Sequence, residues 1–338
     1  MLYLIPLITS LVIVLLFIKP TMRFLTRAGI IGIDQQKKDK PKLPTSAGIV
    51  VMVGFLAGIF AFIGLNTFLF KLETNLLYIL AAAFSVIIIT FIGFFDDINV
   101  SRSPRKDKGL EDIRIGLKQW QKPLLTLPAA IPLMAISAGV SEISLPFLGP
   151  VNFGIFFPLL IIPLAVIFVT NATNMLAGMN GLETGLGLVT TFFIGLYSIL
   201  LGSLGSAVIA FSAFGALLGL IYFNWYPAKI LPGDSLTYLI GAVLVTSIVV
   251  GNLEAIGFII FIPWIIEFFL KARSKFKARS IGLLQTNGTL ETPYKRVYSL
   301  THLMMRFGLD REKRISLFLI LIETVLCLLV LFAFLFIV

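Results

Sequence analysis

The sequence predicts an all-α polytopic membrane protein of about ten transmembrane helices. Three observations predict it: the composition, the length of the apolar runs, and the side on which positive charge collects. Of 338 residues, 58% are hydrophobic and only 13% charged, with a mean hydropathy of +1.01. Soluble domains do not reach that balance, because their surfaces need charge. Apolar runs of roughly 20 residues, the length that crosses a bilayer, are expected at 2–19, 47–70, 75–95, 123–139, 153–170, 184–202, 205–223, 235–251, 254–270 and 316–338. If these alternate in direction, all but Lys71 of the 27 Lys and Arg residues fall in one set of loops. Positive-inside bias then puts that set in the cytoplasm and both termini outside.

The first run, MLYLIPLITSLVIVLLFIK, has no positive n-region and no small-residue cleavage site, so it reads as a retained helix. The basic loop from Arg23 to Lys42 leads to the second run, and the third ends in FIGFFDDINVSR. A second basic loop reaches Lys122, where the fourth run begins. SEISLPFLGPVNFG, 141–154, alternates around a Gly-Pro turn and is expected to form an external hairpin. No solenoid repeat, low-complexity linker or composition shift is visible, so residues 1–338 read as one membrane domain. Cys327, the single cysteine, lies in the last run and is expected to face lipid.

The polar residues gather at the cytoplasmic ends of helices. Asp96 and Asp97 are adjacent at a lipid–water boundary, and two neighbouring carboxylates repel unless a cation or metal relieves them. An ordinary solvated helix end is the other reading. VTNATNMLAGMNGLETGLG, 169–187, sets Asn171, Asn174 and Asn180 among Gly178, Gly181 and Gly185. Amide oxygens there can ligate a hard cation, and glycines let backbone N–H groups approach a phosphate or base; a polar interhelical turn is the alternative. Asp234 stands before an apolar run, as an N-cap or as a metal-binding carboxylate. KARSKFKAR, 271–279, suits anionic headgroups or a pyrophosphate. His302 has no Cys or acidic neighbours to make a metal site. Glu267 is expected to face the cleft or to pair with Lys271 one turn on, and Glu323 has no evident partner.

In order along nearly the whole chain, these motifs resemble the polyprenyl-phosphate N-acetylhexosamine-1-phosphate transferases, closest to the dolichyl-phosphate N-acetylglucosaminephosphotransferase branch and its archaeal relatives. KKDKPKLPTSAGIV (37–50), GFFDDIN (93–99), NATNMLAGMNGLETG (171–185) and NWYPAKILPGDSLTYLIGA (224–242) carry the resemblance. It implies transfer of an N-acetylhexosamine-1-phosphate from a UDP-sugar to a polyprenyl or dolichyl phosphate, at a cleft facing the cytoplasm of the cell membrane. By that resemblance Asp96, Asp97 and Lys122 are catalytic, and Asn174 and Asp234 hold Mg2+, with Mn2+ as a substitute. Asn171, Gly178, Asn180, Glu183 and Arg279 bind substrate. The link from Asn99 to Lys122 is longer than the family's, which makes Lys106 a rival for the lysine role. The histidine-rich motif of the bacterial members is absent from the last loop, against a muramoyl-pentapeptide substrate. A homodimer is left open, and no nucleic-acid partner is expected. A transporter or lipid carrier without catalysis is the competing class, and it would more often hold ionisable residues near mid-membrane.

Overall fold

The computed structural model describes residues 2–99, 101–103, 113–115, 120–145 and 149–336. α1 (Leu4–Arg27) leads through a hairpin of β1 (Ile31–Ile33) and β2 (Lys42–Pro44) into α2 (Gly48–Leu65), which a π-helical turn extends to Phe70. α3 (Leu76–Ile98) starts at Asn75, whose side chain accepts from Tyr78 N, and ends at the two aspartates. Beyond the hairpin of β3 (Ser101–Ser103) and β4 (Ile113–Ile115) come α4 (Gln121–Thr126), a 3₁₀ turn (Leu127–Ala130) and α5 (Ile131–Ala135). The hairpin expected within 141–154 is present, with β5 (Glu142–Leu145) antiparallel to β6 (Gly149–Asn152). α6 (Ile162–Met175), α7 (Leu182–Leu200), α8 (Leu204–Asn224) and α9 (Gly233–Gly251) complete the centre. The chain closes with α10 (Glu254–Ile260), α11 (Ile262–Ala272), a hairpin of β7 (Leu283–Leu284) and β8 (Leu290–Glu291), α12 (Leu300–Arg306) and α13 (Glu312–Phe336).

Among the described residues eight helices are long and apolar enough to cross a membrane, and nine if α10 and α11, bent by 57°, form one span. The chain is therefore a multi-pass membrane protein. α9 is the central helix, with 83% of its apolar window buried, whereas α1 and α13 bury 22% and lie at the rim. Exposed apolar side chains such as Leu16, Phe24, Phe84 and Leu329 suit a lipid surface.

The run expected as a fourth span departs from a single helix. Pro123, Pro128 and Pro132 remove backbone donors along it, and its helical pieces are 6, 4 and 5 residues long. The run still travels the length of α9. Lys122 Nζ lies 2.7 Å from Asp234 Oδ2 at the start of α9, and a Cβ on Gly139 would stand 3.1 Å from Val249 near its end. Cys327 also departs from expectation. It is buried, with its Sγ 3.4 Å from Glu323 Oε1, and Tyr197 on α7 donates to its carbonyl at 2.8 Å. A thiol that partners a buried carboxylate explains why this residue turns inward, and it gives Glu323 the partner the sequence did not reveal.

Candidate active site

Asp97, near the end of α3, accepts from Ser46 Oγ at 2.8 Å, from Asp234 N at 2.8 Å and from Ser235 N at 3.2 Å. Its carboxylate thus caps the first turn of α9 from a neighbouring helix, doing for those orphan N–H groups what an N-cap side chain does. Asp96 points elsewhere. Lys122 Nζ stands 2.7 Å from Asp96 Oδ2 and 2.7 Å from Asp234 Oδ2. One ammonium therefore bridges two carboxylates from separate helices, which relieves a repulsion that neither element relieves alone. Asp96 is nearly buried, while the Asp234 side chain keeps 29% of its surface open. Lys106 lies outside the described residues.

Two cavities meet at this centre. The first, about 230 Å³, is lined by Asp34, Gln36, Gly178, Asn180, Glu183 and Asp234 among others. The second, about 340 Å³, is lined by Lys122, Asn171, Asn174, Asp234, Lys271 and Arg279 among others. Asn174 and Asp234 belong to both. Thr237 donates to Asn174 Oδ1 at 3.1 Å, which fixes that amide against α9. Asn171 is held by its own amide, which donates to Thr126 on α4 at 3.1 Å and to Ile167 O at 2.8 Å. In the first cavity Glu183 Oε1 accepts from Gly178 N at 2.5 Å, and Asn180 donates to Asp34 at 3.0 Å. Every described candidate from the sequence therefore lines one of these cavities or adjoins their shared wall.

Arg279 arrives from the segment between α11 and β7, with its backbone N–H on the Tyr294 hydroxyl at 3.1 Å. Glu267, expected to face the cleft or pair with Lys271, is buried beside Lys271 at 3.6 Å. It also accepts from Ser299 Oγ at 3.1 Å and Leu300 N at 2.7 Å, capping α12. His302 is fully buried on α12; burial first, then the positive charge of Lys271 and Arg306, pushes its pKa down to about 4. It is therefore neutral near pH 7.

Sequence reasoning missed several residues. Gln36 bridges Gly178 O at 2.9 Å and Gly282 N at 3.1 Å. Lys37 pairs with Asp34 and Glu312, and Glu312 Oε1 accepts from Asn180 N at 2.7 Å. The one available signal, for Asp34, Gln36 and Lys37, was their place at or just before the start of the 37–50 motif; Glu312, at the start of α13, gave none.

The sequence profile of glycosyl transferase family 4 matches residues 76–252. The chain belongs to that family. The matched stretch takes in every expected site residue except Arg279. A protein of Saccharolobus solfataricus is 36% identical over 297 residues, covering 87% of this chain and 84% of its own length. One from Sulfolobus acidocaldarius is 34% identical over 325 residues, covering 92% and 89%. Both are provisionally named UDP-N-acetylglucosamine–dolichyl-phosphate N-acetylglucosaminephosphotransferase. A Dictyostelium discoideum protein of that name is 27% identical over 296 residues, or 76% of this family 4 chain and 68% of its own.

A divalent cation fits the donors present in this family 4 site. Asp234 and Asn174 offer hard oxygens on the wall shared by the cavities, and the Lys122 ammonium already stands against Asp234. Among the described residues no group of three or more His, Cys, Asp or Glu could hold a metal. Two protein oxygens suit Mg2+, which usually keeps waters and takes substrate phosphates as its other ligands.

Proposed function

We propose that this family 4 enzyme transfers N-acetylglucosamine-1-phosphate, or a related N-acetylhexosamine-1-phosphate, from its UDP-sugar to a polyprenyl or dolichyl phosphate. The products are the polyprenyl-diphosphate-sugar and UMP. The observation that carries the reading is Lys122 held between Asp96 and Asp234 where the two cavities join. A cavity that offers the Gln36 and Asn180 amides and Gly178 on one side suits uridine, and a cavity with Lys122 and Arg279 on the other suits the sugar phosphate. The names of the archaeal and Dictyostelium relatives support the same pair of substrates. α4, which carries Lys122, exposes Leu124 and Leu125, apolar surface on which a prenyl chain can lie beside its phosphate.

In phosphoryl transfer the protein contributes mainly positioning and charge neutralisation. A non-bridging oxygen of the lipid phosphate attacks the sugar-linked phosphorus, a new P–O bond forms, and the bond to the UMP oxygen breaks. Lys122 and Arg279 neutralise the anionic centre. Asp96 orients Lys122 and the lipid phosphate, while Asp97 keeps the first turn of α9, and with it Asp234, in place. Gly178, Asn180 and Glu183 shape the nucleotide side, and Asn171 lines the sugar-phosphate side. Mg2+, or Mn2+, held by Asn174 and Asp234 would supply charge to the pyrophosphate oxygens.

The run at 123–139, although broken, travels the length of α9 and is read as a crossing. With α10 and α11 as one bent span, the crossings number about ten, and both termini fall outside with the cleft on the cytoplasmic face. Mass spectrometry of both products tests the chemistry. A lipid diphosphate-sugar accompanied by UMP is expected; a lipid monophosphate-sugar accompanied by UDP would contradict the proposed bond cleavage.

A further inference from the structure

The wall between the two cavities includes one residue from outside the Asn174–Gly178 turn and the start of α9. That residue is Ile281, which lines both cavities. Gly178 has φ +106°, and a Cβ there would stand 3.0 Å from Ile281 Cγ2, so the 280–282 segment and the turn meet across the passage. The residues on either side of Ile281 are fastened to the same turn. Ser280 Oγ donates to Met175 O at 2.9 Å and accepts from Lys271 Nζ at 2.7 Å. Gly282 N donates to Gln36 Oε1 at 3.1 Å, and Gln36 Nε2 donates to Gly178 O at 2.9 Å. Gln36 and Lys271 are both 5% exposed. Lys271 is itself held by Ala278 O at 2.9 Å and by Glu267.

Residues 278–282 belong to no helix, so side-chain bonds set where they sit. A buried amide using its donor and its acceptor on two different segments fixes their separation, because either broken bond leaves a buried polar group unpaired.

We propose that Gln36 and Lys271 are positioning residues that clamp residues 280–282 onto the Met175–Gly178 turn and so set the width of the passage a UDP-sugar must span. This rests on the transfer reaction proposed above. A UDP-sugar places its uridine in one cavity and its sugar phosphate in the other, with the pyrophosphate beside Ile281. The lipid phosphate approaches from α4 and does not use that passage. Loss of the clamp therefore acts on one substrate.

Hydrogen exchange of the full chain in nanodiscs, followed by two-substrate kinetics, tests the clamp. In Gln36→Ala without ligand, exchange of the segment holding Gly282 is expected to rise about tenfold or more. KM for UDP-N-acetylglucosamine is expected to rise about tenfold, the scale of one lost hydrogen bond, with KM for polyprenyl phosphate within about twofold. Gln36→Glu, which keeps the acceptor for Gly282 N–H, is expected to fall between. Lys271→Met acts from the Ser280 end of the segment and should give the same split; Ser280→Ala replaces it if that variant does not fold. Unchanged exchange overturns the clamp. Equal changes in both KM values, or a fall in kcat alone, overturn its role toward the UDP-sugar. If exchange responds but the unaltered protein transfers no sugar phosphate, the proposed reaction fails, and the positioning role falls with it while the clamp's geometry stands.

Discussion

Asp97 engages both carboxylate oxygens with Ser46 and the first N–H groups of α9, whereas Asp96 faces Lys122. The two residues should therefore respond differently to the same substitution. Asp97→Asn removes acceptors from buried donors and is expected to cost about 1–2 kcal/mol, read as a lower melting temperature. Asp96→Asn is expected to leave melting nearly unchanged and to lower kcat by about a hundredfold or more. Equal stability losses would contradict this division. The aspartate pair was legible in the sequence; its division of labour was not. Successive helix residues point about 100° apart, and which of them meets α9 is decided by packing. His302 gives a second test at this scale. Its folded pKa, about 4, lies below the unfolded value of 6.5, so the unfolded chain binds the extra proton first. Its contribution to stability is present above pH 6.5 and lost as pH falls toward 4. His302→Gln should flatten the decline in melting temperature over that window; an identical decline in both proteins would contradict it.

Helices α2 and α3 approach the start of α9 through glycines. A Cβ on Gly48 would meet Ser235 C at 2.3 Å, and one on Gly93 would meet Asp234 O at 2.5 Å. Both obstacles are backbone, so an added methyl must push the helices apart and carry Asp234 away from Lys122. Gly93→Ala is expected to lower transfer activity about tenfold or more and to cost about 1–3 kcal/mol. Gly64→Ala, with nothing within 4 Å, is the matched control and should change neither. Helix positions were legible because apolar length alone marks a span, and the third, sixth and eighth runs appear as α3, α7 and α9 within a few residues. The interruption at Pro123, Pro128 and Pro132 was not anticipated, because a count of apolar residues does not register missing backbone donors. Gln36 and Lys37 escaped for a related reason. Polar residues in loops carry no period, and only the fold brings Gln36 to Gly282.

At the scale of the molecule, the formal net charge of +10 is concentrated on the face assigned to the cytoplasm. Single cysteines in a Cys327→Ser background test that face. Lys71→Cys is expected to react with a membrane-impermeant maleimide in intact cells, and Lys38→Cys only after permeabilisation. The reverse pattern would invert the topology and put the cleft outside. The fold places Asp96, Lys122 and Asp234, from three separate segments, at one junction, and the proposed reaction depends on that junction. Its most direct test is the transfer of radiolabel from sugar-labelled UDP-N-acetylglucosamine into organic-extractable lipid. Purified protein and polyprenyl phosphate are assayed with and without Mg2+, alongside Asp234→Ala. Metal-dependent label that disappears in the variant is the expected result; no label with any UDP-N-acetylhexosamine, in protein shown to be folded, would contradict it and favour a carrier.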